Sequence, residues 1–145
     1  MRWPAIAMVI VIGALLTPFL MVAGTANAAS HGKAASRGHS YYKQYCSTCH
    51  GPDGRGGGPR ARMLAPPPAD LTRIAQRRGG YFPERQIIAY IDGRTSIRGY
   101  HKQEMPVWGR TLTGTKTRRG DQARAEKIMS DLMQYLKTIQ QVGGN

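Results

Sequence analysis

Apolar positions along the chain fall into two regimes. The first is a continuous run. After a short charged start, Met1-Arg2-Trp3-Pro4, the chain is almost wholly apolar from Ala5 to Ala23. Ala26-Asn27-Ala28 then has the small-x-small form of a cleavage site. The pattern predicts a signal peptide over residues 1–28, cut after Ala28. If retained, the run is long enough to anchor the chain in a membrane. The small, polar stretch 29–36 reads as a flexible leader before a single domain over 37–145.

The second regime is periodic. Ala125, Ile128, Met129, Leu132, Tyr135, Leu136 and Ile139 follow a helical repeat and predict a closing helix from about Gln122 to Gln140, capped by Asp121. Ile87, Ile88 and Ile91 share one face of a shorter helix, with Pro83 at its start and Gly93 at its end. Arg37 to Cys46 reads as a first helix with Ser36 as its N-cap. Ala69 to Gln76 allows a short helical turn. Gly51 to Gly58 must be loop, because five of its eight residues are glycine. No segment keeps a strand alternation, so the domain is expected to be all-α.

Composition changes this picture in one respect. Lys and Arg number 21 against 8 Asp and Glu, a formal net charge of +13. Such a surface either simply repels its own kind or steers acidic partners to a docking face. Nucleic acid is not favoured, because the cations are scattered without a long basic run.

The 145 residues contain only two cysteines, and they lie in Cys46-Ser47-Thr48-Cys49-His50. This is C-x-x-C-H, the pattern of covalent haem attachment. Two thiols at this spacing reach both vinyl groups of one haem, and the adjacent imidazole becomes the proximal iron ligand. A thioredoxin-like pair requires a βαβ setting that the flanks do not supply. A structural zinc site requires a second pair of ligands that is missing. A bare disulfide leaves His50 without a role.

A single haem needs a second axial ligand or an open iron. Met105, in Glu104-Met105-Pro106-Val107-Trp108-Gly109, is the favoured candidate. Its thioether favours ferrous iron, Pro106 stiffens its loop, and Trp108 offers an apolar face to the haem. Met63, also in a loop, is its rival, while Met129 and Met133 fit a helical core. His31 and His39 precede the motif and read as exposed; His101 is close enough to Met105 to ligate only in an altered state.

Three separated patches resemble the class I cytochrome c family over about Arg37 to Gln140. They are Gly38, Tyr42 and Cys46 running into Cys49-His50-Gly51; Glu104 to Gly109; and Leu132, Tyr135 and Leu136. The resemblance implies a cytochrome c fold of three or four helices and long loops around one haem c. It implies that Gly38 faces Tyr135 where the first and last helices cross, with Tyr42 beside them. It also implies a proline whose carbonyl accepts the N–H of His50, and Pro59 is the best match. The polar approach Thr95 to Gln103 departs from the family's usual form. Pro66-Pro67-Pro68 predicts a stiff strut beside the haem.

The signal segment predicts export to the periplasm, and an iron with both axial positions filled predicts a one-electron carrier rather than an enzyme, with Cys46, Cys49, His50, Met105, Pro59 and Trp108 around the cofactor. Lys43, Arg55, Arg60 and Arg110 are candidates for steering acidic redox partners. The alternative is a tightly bound haem subunit of a larger redox complex.

Overall fold

The computed structural model describes residues 23–93, 105–108, 112 and 119–141. Among them are helices and loops but no strand. Helix α1 spans Ala23–Tyr45, α2 spans Ser47–His50, α3 spans Glu84–Ile91 and α4 spans Arg119–Thr138. Three 3-10 turns lie between α2 and α3, at Ala61–Met63, Leu71–Arg73 and Gln76–Arg78.

The fold is organised by α1 crossing α4, the most extensive helix contact among the described elements. The crossing is close because Gly38 has no side chain. A Cβ there would overlap the Asp131 carbonyl and lie 2.9 Å from Tyr135 Cβ. Tyr42 packs on Tyr135 with ring centroids 5.2 Å apart, and His39 also packs on Tyr135, at 4.9 Å. The expected meeting of Gly38, Tyr42 and Tyr135 is therefore present.

The apolar stripe of α4 explains its position. Ile128, Met129, Leu132, Met133 and Leu136 are buried, and α3 adds Ile87 and Ile91. Lys137 near the end of α4 pairs with Glu84 at the start of α3. Pro83 precedes α3, and Gly93 leaves it with φ +77°. Proline is tolerated there because the first turn needs no amide donors.

Three local expectations are corrected. Residues 29–36 are not a flexible leader but part of α1. Ala34 and Ala35 favour helix, and the stretch is tied to α4 where His31 Nδ1 lies 3.3 Å from Gln134 Oε1. Ser36 is accordingly inside α1 and caps nothing. Asp121 lies in the first turn of α4 instead of capping it, where its charge still suits the helix dipole. The stretch Thr95 to Gln103 and residues 1–22 lie outside the described residues.

One ion cluster sits at the crossing around a buried carboxylate, its two cations remaining half exposed. Asp131 is 1% exposed and receives both Nε and Nη2 of Arg37, at 2.7 and 2.9 Å, with Lys127 on the same carboxylate. The Arg37 hydrogen bonds hold its pKa below the usual carboxylate value, against the opposing effect of burial. Its stabilising contribution is therefore complete above the unfolded carboxylate pKa and lost as pH falls through the lowered folded value. Asp131→Asn is expected to cost about 2 kcal/mol at neutral pH. It should also reduce the loss of stability on acidification, both measured by denaturant unfolding of the intact protein at several pH values.

Candidate haem site

The site begins where α1 ends. Cys46 N–H donates to Tyr42 O at 2.9 Å, and the chain turns directly into α2, so Cys46, Cys49 and His50 come from one short stretch of helical backbone. A four-residue helix leaves its carbonyls without internal partners. The glycine loop supplies them. Gly56, Gly58 and Arg60 N–H groups donate to the carbonyls of His50, Cys49 and Thr48, at 2.8, 3.1 and 3.0 Å. Only glycine fits at position 58, where a Cβ would stand 2.6 Å from the Cys49 carbonyl oxygen. The glycine run thus clamps the backbone of the C-x-x-C-H motif. At Gly51 itself, the fully buried Tyr42 donates its hydroxyl to the backbone carbonyl at 2.5 Å. Burial pushes the Tyr42 pKa upward, so the hydroxyl remains a donor.

His50 is half-buried, and its Nδ1 lies 2.9 Å from the Ala69 carbonyl oxygen. A carbonyl can only accept, so Nδ1 carries the proton and Nε2 is the free lone pair. Burial lowers the His50 pKa, partly offset by the Ala69 hydrogen bond, and the ring is neutral and ready to ligate at pH 7.

The acceptor is not Pro59, as the family resemblance implied. Pro59 is exposed. The loop folds so tightly onto the carbonyls of α2 that it carries Pro59 outward. Pro66-Pro67-Pro68 instead brings Ala69 to the ring. Asp70 caps the next 3-10 turn, accepting from Thr72 N at 2.8 Å. The proline strut, whose contact the sequence left open, therefore delivers the acceptor of the imidazole proton.

Cys46, Cys49, His50, Met105 and Trp108 line one cavity of about 330 Å³. Its floor is the core itself, through Ile87, Ile91, Leu132 and Leu136. Trp108 packs on Tyr45 at the end of α1, with ring centroids 5.3 Å apart. Met63, the rival methionine, is 77% exposed and is not part of the cavity wall. Among the described residues the charged lining groups are Arg60, Arg77 and Arg78, with no carboxylate. Sequence proximity to the motif pointed to Arg60 but missed Arg77 and Arg78, which the third 3-10 turn brings back to the cavity. Lys43 and Arg55 are exposed away from it, and Arg55 is 3.7 Å from Asp53. His101 and Arg110 lie outside the described residues.

The donor set fits haem. It consists of a neutral imidazole, a thioether and two free thiols in an apolar cavity. Among the described residues no group of three or more His, Cys, Asp or Glu could hold a bare metal ion. Burial, and then the neighbouring Cys49, push the Cys46 thiol up to about 12. A thiol so protonated at neutral pH does not behave as the nucleophile of a redox dithiol.

The comparisons agree with this geometry. Residues 33–119 match the family described as cytochrome c oxidase, cbb3-type, subunit III. The chain belongs to that family; it is a class I c-type cytochrome domain. Haem c and electron transfer are the chemistry of such domains. Neither a curated protein nor a solved structure matches the chain.

Gly58→Ala is expected to push the loop off the Cys49 carbonyl and cost about 1–3 kcal/mol, as over-packing does. Thermal unfolding of the variant beside the parent protein measures this.

Proposed function

We propose that this protein is an exported monohaem cytochrome that carries single electrons between periplasmic partners. The observation that carries the reading is the shared cavity, in which the C-x-x-C-H residues and Met105 meet although they lie far apart in sequence. Cys46 and Cys49 would each add S–H across one vinyl double bond, forming thioethers without any oxidant. His50 and Met105 would supply the axial ligands. A bound haem would supply the Fe(III)/Fe(II) couple, and with His50 and Met105 both on the iron no place would be left for a substrate. Trp108 and the core residues of the cavity exclude water and hold the ligand set rigid, so that little reorganisation accompanies the change of charge.

Export is supported by the signal-like segment 1–28. Among the described residues no helix is long and apolar enough to cross a membrane. The net charge of +13, with Arg60, Arg77 and Arg78 on the cavity, supports partners with acidic docking surfaces.

A second reading has an observation of its own. The matched family is described by a subunit of an oxidase, which favours a fixed place in a larger redox enzyme. Native size-exclusion chromatography separates the two: elution as a stable heteromer favours the subunit, and elution as a small free protein favours the carrier.

The ligand assignment is tested by the absorption spectrum of the oxidised protein. The carrier reading expects an Fe–S(Met) band that vanishes in Met105→Ala, and a reduced parent protein that excludes carbon monoxide. Rapid, complete carbon monoxide binding by the reduced parent protein at neutral pH would instead mark an open iron, as in a gas sensor or an enzyme.

A further inference from the structure

The far end of the molecule reaches the site through one side chain. Gln140 lies just beyond α4 and is half-buried. Its Oε1 accepts the Ala75 N–H at 2.9 Å, and its Nε2 donates to the carbonyls of Leu71 and Leu136 at 2.9 and 2.7 Å. Beside it, Gln141 N–H donates to Thr72 O at 2.7 Å. One amide thus grips both ends of the segment Leu71–Ala75 and ties it to the last turn of α4. That segment begins two residues beyond Ala69, whose carbonyl accepts the His50 proton.

Besides the Asp70–Thr72 cap and the Gln141 bond, two further restraints on the Ala69 segment come from the glycine loop and the third 3-10 turn. Leu71 N–H donates to Gly54 O at 2.7 Å, and Arg77 Nη2 donates to Asp70 O at 2.8 Å. Gln140 is different because it refers the segment to a long helix fixed in the core. An amide can donate twice and accept from the same side chain, which neither glutamate nor leucine reproduces.

We propose that Gln140 is a positioning residue for the proximal ligand: by fixing the Ala69 carbonyl against His50 it sets how strongly the imidazole donates to iron. The inference rests on the reading of His50 as the iron ligand. A firm Nδ1–H···O=C bond gives the ring imidazolate character and favours ferric iron. A loosened bond weakens the donation and raises the reduction potential.

The test uses the haem-loaded full-length protein and two readouts that a merely structural residue leaves alone. They are the reduction potential and the solvent exchange rate of the His50 Nδ1 proton, followed by its paramagnetically shifted NMR line. In Gln140→Leu we expect a higher potential and exchange faster by about threefold to tenfold, the scale of one net hydrogen bond. Gln140→Glu keeps the acceptor for Ala75 but sets a carboxylate oxygen against the carbonyls of Leu71 and Leu136, so it should also speed the exchange. It also serves as the test variant if the leucine variant fails to fold. Thr138→Ala removes a different hydrogen bond near the same helix end, from Thr138 Oγ1 to Tyr135 O, and should move neither readout. A Gln140 variant that melts earlier while both readouts stay at the parent values overturns the proposal. A parent protein that yields no haem at all overturns the ligand reading instead, which the haem content of the preparation reveals before any variant is compared.

Discussion

The hydrogen bond from His50 Nδ1 to the Ala69 carbonyl is the constraint around which the rest is arranged. It fixes the tautomer and points Nε2 away from Ala69, while burial, which outweighs the opposing effect of this bond, favours the neutral ring. A backbone carbonyl can do this only if its own segment is held. The proline strut brings it from one direction. The Asp70 cap, the Gly54 carbonyl and Gln140 hold the residues on its other side. His50 is held in turn by α2, whose carbonyls the glycine loop satisfies. The two sides of the hydrogen bond thus share the glycine loop as a support, while the closing helix adds a hold on the Ala69 side alone.

The same arrangement explains why the fold leaves a cavity in its centre. The residues that make the core, Ile87, Ile91, Leu132 and Leu136, also form its wall. A domain of this size has a limited apolar interior. Here the helices present their apolar faces to a shared space more than to one another, α1 and α4 excepted. A large apolar cofactor would complete the core as well as provide the chemistry. That would give a covalent tether a physical reason: a ligand that is part of the core should not depart.

Much of this was legible in the chain, for identifiable reasons. The period of Ile128 to Leu136 marked α4, and Pro83 with Gly93 bounded α3, because helix periodicity and terminal chemistry are local signals. Gly38 and Tyr135 were legible through family resemblance, as a small residue placed to face an aromatic. The Ala69 carbonyl was not legible, since a backbone acceptor carries no side-chain signature. Family resemblance favoured Pro59, and the tight folding of the glycine loop sent that residue to the surface. The proline triplet was the available sign, because a stiff extended run ends somewhere definite. Gln140 was hidden for another reason: a glutamine at a helix end looks like solvated surface until the segment it grips is placed. The early start of α1 reflects contacts with α4 that local polarity does not report.

All of this depends on a porphyrin joined to the chain through the motif cysteines. Mass spectrometry of the protein, isolated from a host able to assemble c-type haem and then denatured, tests it most directly. The account predicts a mass equal to the polypeptide plus one haem, with the added mass on the peptide that contains Cys46, Cys49 and His50. A polypeptide mass alone, with both cysteines free to react with a thiol reagent, would contradict it.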